Sequence, residues 1–261
     1  IALPGPAAWH GSGQERNQLN TACQWLWVLD SAVQAAQRHH PVTIAEVGLL
    51  HAIPVNARGR ASRSNDSSRF EAFTRGTFDD GWTVEDGEPA QLETILTAEK
   101  ARVIITRNDS PDISFDRSIN PYRGCEHGCI YCFARPTHAF HDLSPGVDFE
   151  SRLFVKPNAA QLLHSALSRP GYECAPIAMG TNTDPYQPIE ERWRVTRSVI
   201  EVLLETRHPF TITTKSDRVL RDLDLLKPAA ELGIASVALS VTSLDPDTAR
   251  KLEPRAPAPR K

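Results

Sequence analysis

Much that would mark this chain as exported, membrane-bound or basic is missing from it. It contains no run of 18 apolar residues, so no membrane-spanning helix is expected. No basic stretch followed by an apolar one opens the chain, which argues against export. Neither sign of charge dominates: 29 Lys and Arg stand against 32 Asp and Glu, so composition makes no independent case for a nucleic-acid partner. Five cysteines in 261 residues, three of them clustered, fit a reducing cytoplasm better than a disulfide framework. Methionine occurs once, at Met179, and the chain begins at Ile1 and stops at Lys261, just after a proline-rich stretch. Those details suggest a fragment of a longer product. The remaining composition, 40% hydrophobic and 23% charged, is that of a globular protein.

What is present is concentrated in one segment. Cys125, Cys129 and Cys132 follow one another as C-x3-C-x2-C within the text NPYRGCEHGCIYCFARPTHAF. Three thiolates at that spacing can hold three corners of a [4Fe–4S] cube and leave one iron open to a small molecule. A Cys3His zinc site is the rival reading, its fourth ligand drawn from His127, His138 or His141. Structural zinc sites usually assemble from two separated ligand pairs, and Cys23 and Cys174 are lone cysteines that form no second pair.

Three regions are expected along the chain. Residues 1–55 form an N-terminal extension of unknown role, with helical spacing of apolar residues over 21–39. Residues 56–100 are an Arg/Ser-rich linker and lead-in; its first part, NARGRASRSNDSSRF, is either solvated or an arm that contacts phosphate. Residues 101–261 form an α/β core. In it, strands are expected at 101–106, 118–122, 176–179, 210–214 and 235–241, and helices at 158–168, 190–206, 219–232 and from 245. Such alternation means right-handed βαβ units on a parallel sheet, with chemistry at the carboxyl ends of the strands. The cysteine loop, Gly180–Asp184, Lys215 with Ser216, and Ser240–Ser243 all fall at that rim. Glu190 is expected to cap the helix it opens, while Asp184 could bind substrate or cap.

Four stretches carry a family resemblance: SINPYRGCEHGCIYCFARPTHAF, GTNTDPYQPIE, TKSDRVLRDLDLL and ALSVTSLDPDTARKLEPRAPAP. From about residue 56 onward the chain resembles the spore photoproduct lyase-related, DNA-repair photolyase-like branch of the radical SAM superfamily. The resemblance implies a partial (β/α)6 TIM-like barrel of which this chain supplies the first four strands. It also implies a [4Fe–4S] cluster and S-adenosylmethionine (SAM), reductive cleavage of SAM, and hydrogen abstraction from an unknown substrate, with DNA or another nucleic acid as a candidate. A low-potential electron donor of flavodoxin or ferredoxin type follows.

By the same resemblance Cys125, Cys129 and Cys132 ligate the cluster, and Tyr131 lies near the SAM adenine. Gly180, Thr181 and Asn182 contact the methionyl amine, Lys215 the carboxylate, and Ser240 the ribose. The lyase has a hydrogen-returning cysteine where this chain reads Met179-Gly180-Thr181. Cys174 lies about six residues earlier, roughly 20 Å along a strand at ~3.3 Å per residue, and is expected to be a buried structural cysteine. The readings from other classes are a zinc-stabilised nucleic-acid-binding module and an inactive fragment of a radical SAM protein.

Overall fold

Short apolar runs separated by amphipathic stretches fold here as the spacing predicts, into strands of a mostly parallel sheet with helices between them. The computed structural model describes residues 93–261. The expected extension over 1–55, its helix and the arginine-rich arm lie outside the described residues. The strands are β1 (Ile95–Ala98), β2 (Ile105–Arg107), β3 (Arg117–Ile119), β4 (Tyr122–Arg123), β5 (Arg152–Val155), β6 (Ile177–Met179), β7 (Phe210–Thr214) and β8 (Ala235–Leu239). The α-helices are α1 (Val147–Ser151), α2 (Ala159–Leu167), α3 (Glu190–Trp193), α4 (Val195–Glu205), α5 (Leu223–Glu231) and α6 (Pro246–Leu252).

The main sheet has the order β2-β3-β6-β7-β8, parallel throughout except for β2 at its edge. Ile119, Met179, Ile212 and Val237 stand in register across it. The first three are almost wholly buried, packed with Leu163 of α2, Val199, Ile200 and Leu203 of α4, and Leu226 and Ala229 of α5. Burying one such Leu or Ile contributes about 1.5–3 kcal/mol, so this layer fixes the strand order. β6 is buried along its whole length, whereas β7 alternates and Ser236–Leu239 of β8 are exposed. A second, smaller sheet has the order β1-β5-β4.

The region over 56–100 ends in a strand, Ile95–Ala98, paired in parallel with Arg152–Val155. Two expectations need correction. The strand expected over 101–106 starts only at Ile105 and runs to Arg107, antiparallel to β3. The single helix expected over 190–206 is broken at Arg194, which adopts left-handed backbone angles with φ 50°. The break turns the Glu190 carboxylate onto the backbone N–H groups of Thr196 (2.9 Å) and Arg197 (3.3 Å). Glu190 therefore caps the second of the two helices and stabilises the turn between them.

At the carboxyl end of β6 the chain needs a glycine. Gly180 has φ +87°, and a Cβ there would lie 2.0 Å from the Thr213 carbonyl oxygen of β7. Gly180→Ala must push two adjacent strands apart or rebuild the turn. We expect a loss of about 3 kcal/mol, seen as a lower urea midpoint with an unchanged slope.

Candidate functional site

β3 and β4 deliver the chain to Gly124, which has φ +72° and no room for a side chain, since a Cβ would stand 2.5 Å from Leu153 Cδ2. The cysteine loop that follows is tied down on three sides. From α1, the Phe149 carbonyl accepts the Cys125 N–H at 2.9 Å. From the loop after β6, Gln187 brackets Cys125: its amide accepts the Glu126 N–H at 2.9 Å and donates to the Gly124 carbonyl at 3.2 Å. From α6, the Leu252 carbonyl accepts the Ile130 N–H at 3.0 Å, and the Arg255 N–H donates to His127 O at 3.2 Å. Arg135 completes the loop by donating to Cys129 O, Pro145 O and Gly146 O and pairing with Glu150 at 2.6 Å.

All three loop cysteines are free thiols; Cys125 and Cys129 are buried and Cys132 half-buried. Burial, then the neighbouring Cys125 and Cys132, push the Cys129 thiol far up. Burial and Cys125 raise Cys132 to about 11 against the pull of Arg135 and Lys215. Thiols so crowded ionise only against a bound cation, and coordination supplies that charge. This donor set fits an iron–sulfur cluster. Among the described residues, no three His, Cys, Asp or Glu side chains are arranged to close on one metal ion.

Beside the loop the structure gathers Tyr131, Lys215 and Ser240. The Lys215 ammonium lies 2.9 Å from Ser240 Oγ and 5.5 Å from the centre of the Tyr131 ring. Two more residues join them: Thr242, from the rim segment Ser240–Ser243, and Glu253, which was missed in the sequence. Glu253, just past α6, pairs with Lys215 at 2.7 Å, and Thr242 lies 3.3 Å from the ammonium and 2.7 Å from the Tyr131 hydroxyl. Tyr131 and Thr242 both donate to the Glu253 carboxylate. Burial works against the Lys215 charge, but the hydrogen bond it donates to Glu253, together with Tyr131 and the Glu253 charge, outweighs that and raises its pKa. Only the adjacency of Glu253 to Leu252-Pro254-Arg255 in the motif text could have singled it out.

Gly180, Thr181 and Asn182 form a separate arm, organised by Asn120. Asn120 Nδ2 donates to Thr181 Oγ1 at 3.0 Å, and Asn120 Oδ1 accepts the N–H of Asn182 at 3.0 Å. Asp184 links this arm to the lysine: it accepts the Lys215 N–H at 2.7 Å, the Thr214 hydroxyl at 2.6 Å and the Tyr186 N–H at 2.8 Å. It also faces the buried His127 ring, with Nδ1 at 3.4 Å. Burial opposes both charges, yet the pairing wins, lowering the Asp184 pKa and raising that of His127. The structure thus gives Asp184 an organising place inside the rim. His138 and His141 instead pack on Phe149 and Phe154, His138 with its Nε2 at 2.8 Å from Arg152 O. Cys174, expected to be buried, is exposed, because it lies in the loop before β6 and not on the strand.

Comparison with known proteins identifies a family. The family model described as the Radical SAM superfamily matches residues 119–260. An uncharacterized protein of Mycobacterium tuberculosis is 42% identical over 147 residues, covering 56% of this chain and 43% of its own length. An uncharacterized protein of Methanocaldococcus jannaschii is 30% identical over 140 residues, 54% of this chain and 49% of that protein. One from Acidianus two-tailed virus is 26% identical over 195 residues, 72% and 64% respectively. The chain spans about half the length of the curated relatives it matches. No solved structure matches.

Asn120 is itself held by a buried lysine, Lys156, whose ammonium donates to the Asn120 carbonyl at 2.9 Å. Burial and the Arg123 charge lower Lys156 from 10.5 to about 8. Between those values the unfolded chain holds a proton that the folded chain has released, so this group adds stability as pH rises from about 8 to 10.5. Relative to Lys156→Met, the wild type should gain up to about 1.4 kcal/mol per pH unit in that window, measured by urea unfolding at each pH.

Proposed function

The chain belongs to the radical SAM superfamily, and on that premise we propose that it is an enzyme that binds a [4Fe–4S] cluster on Cys125, Cys129 and Cys132. The observation that carries this reading is the set of three free, crowded thiols on one loop, fastened by α1, Gln187 and α6. Held by these residues, such a cluster would supply the electron for reductive cleavage of SAM and hydrogen abstraction from a substrate. In this reading β3, β6, β7 and β8 are the first four strands of a (β/α)6 barrel; their sequential parallel order supports it.

The surrounding side chains take complementary parts. Lys215 offers its ammonium to the SAM carboxylate, the Gly180–Asn182 arm its backbone to the amine, Ser240 its hydroxyl to the ribose, and Tyr131 its ring to the adenine. Glu253 already holds the Lys215 ammonium, so the incoming carboxylate must share or displace it. By motif resemblance we place the chain in the spore photoproduct lyase-related branch. It lacks that enzyme's thiol at Met179-Gly180-Thr181, and the exposed Cys174 does not replace it. The reaction is therefore assigned as hydrogen abstraction, with nucleic acid the candidate substrate, a flavodoxin- or ferredoxin-type donor, and a cytoplasmic setting. No helix among the described residues is long and apolar enough to cross a membrane.

Electron paramagnetic resonance (EPR) of the anaerobically reconstituted, dithionite-reduced protein tests this. A [4Fe–4S]+ signal that shifts on adding SAM is expected. It should vanish in Cys125→Ala, Cys129→Ala and Cys132→Ala and persist in Cys174→Ala. Lys215→Met should keep the signal but need roughly tenfold more SAM to shift it, the cost of one charge-assisted hydrogen bond. A protein that is EPR-silent and binds zinc would overturn the reading.

A further inference from the structure

A second feature lies beside the site just described. A cavity of about 560 Å³ opens between the turn after β7 and the segment after α6. Arg218, Arg221, Arg250, Arg255 and Lys261 line it, against the carboxylates of Glu191 and Asp217. Its apolar wall is small, made of Ala256, Pro257 and Ala258. A ligand drawn to such a lining is an anion, and the volume is that of a small-molecule site.

The cations are not equally available. Arg221 is committed to the fold, with Glu190 and Asp222 each at 2.7 Å. Arg255 is held by Glu126 at 3.0 Å. The other three are loosely compensated. Arg218 reaches the exposed Glu191 only at 3.7 Å, and Lys261 reaches Asp217 at 4.0 Å. Exposed pairs at such separations hold their partners by about 0–1 kcal/mol. Arg250 has no acidic partner among the described residues; its guanidinium donates to the Pro254 carbonyl. Two arginine forks and an ammonium with charge to spare match the tetrahedral, multiply charged oxygens of phosphate better than a single carboxylate.

We propose that this cavity is a phosphate-recognition site, with Arg218, Arg250 and Lys261 as its donors. Its place supports a role beside the radical chemistry. Arg255, on the cavity wall, donates its backbone N–H to His127 in the cysteine loop, and α6 leads into Glu253 at Lys215. A phosphate held there anchors a substrate next to the rim, and that part of the inference rests on the reading above. The phosphate could belong to a polynucleotide backbone or to a free phosphorylated small molecule; the chemistry of recognition is shared.

The test needs no reductant or SAM. Binding of inorganic pyrophosphate is measured by calorimetry, and of a fluorescein-labelled single-stranded oligonucleotide by anisotropy at several salt concentrations. Arg218→Glu/Arg250→Glu should weaken binding at least about tenfold and flatten its salt dependence. Arg102→Glu/Arg169→Glu, an equal charge change at exposed residues away from the cavity, should leave it within about twofold. Arg250→Gln, a milder change, serves if the double variant does not fold. Oligonucleotide binding far tighter than pyrophosphate identifies a backbone phosphate, whereas comparable affinities identify a free one. Binding of neither ligand, or equal weakening by both double variants, overturns the proposal. The EPR signal, recorded on the same preparations, reports separately on the cluster.

Discussion

A single buried carboxylate, that of Asp184, fixes the geometry of the rim. Taken out of water, it must be met by compensating groups: Thr214 and Lys215 at the end of β7 and Tyr186 in its own turn donate to it, and the His127 ring of the cysteine loop faces it at 3.4 Å. The order of these loops follows from the sheet, where β6 lies between β3 and β7 and Gly180 lets the chain pass within contact of Thr213. Remove the carboxylate and two strand-end donors lose their shared acceptor, while the buried His127 ring loses the charge it faces. The cysteine loop would then reach the lysine through Tyr131 and Glu253.

Around that anchor stand two sets of charged groups with different balance. The Lys215–Glu253 pair is internally neutral and shared among the hydroxyls of Tyr131, Ser240 and Thr242. Such a site holds its cation in place before any ligand arrives, at the cost of competition with an incoming carboxylate. The loop thiols have the opposite imbalance. Crowded and desolvated, Cys129 and Cys132 favour the protonated form until a cation joins them. Preorganised cation and charge-hungry thiols sit side by side, which suits a cofactor that bridges iron and an amino-acid headgroup.

Much of this was legible in the sequence, for physical reasons. FTITT and the amphipathic run over 159–167 are governed by local periodicity, and both elements appear where expected. The cysteines, Tyr131, Lys215 and Ser240 were found because their spacing or motif text is distinctive, and the last three meet in space. β1 and β5 escaped notice because strands of four residues are stabilised by pairing across 57 positions and not by their own composition. The break at Arg194 was invisible because nothing local forbids a helix there; the distant demands on Glu190 by Tyr122 and Arg221 do. Glu253, Gln187 and Asn120 act through hydrogen bonds to residues distant in sequence, which leave no periodic trace.

The claim at the centre is that three protein thiolates leave one iron of the cluster free for SAM. Mössbauer spectroscopy of protein reconstituted with ⁵⁷Fe addresses it directly, recorded with and without SAM. One iron in four should change its isomer shift on adding SAM, as its coordination expands, while the other three stay as they were. Four irons indifferent to SAM, or iron bound only as isolated ions, would contradict it.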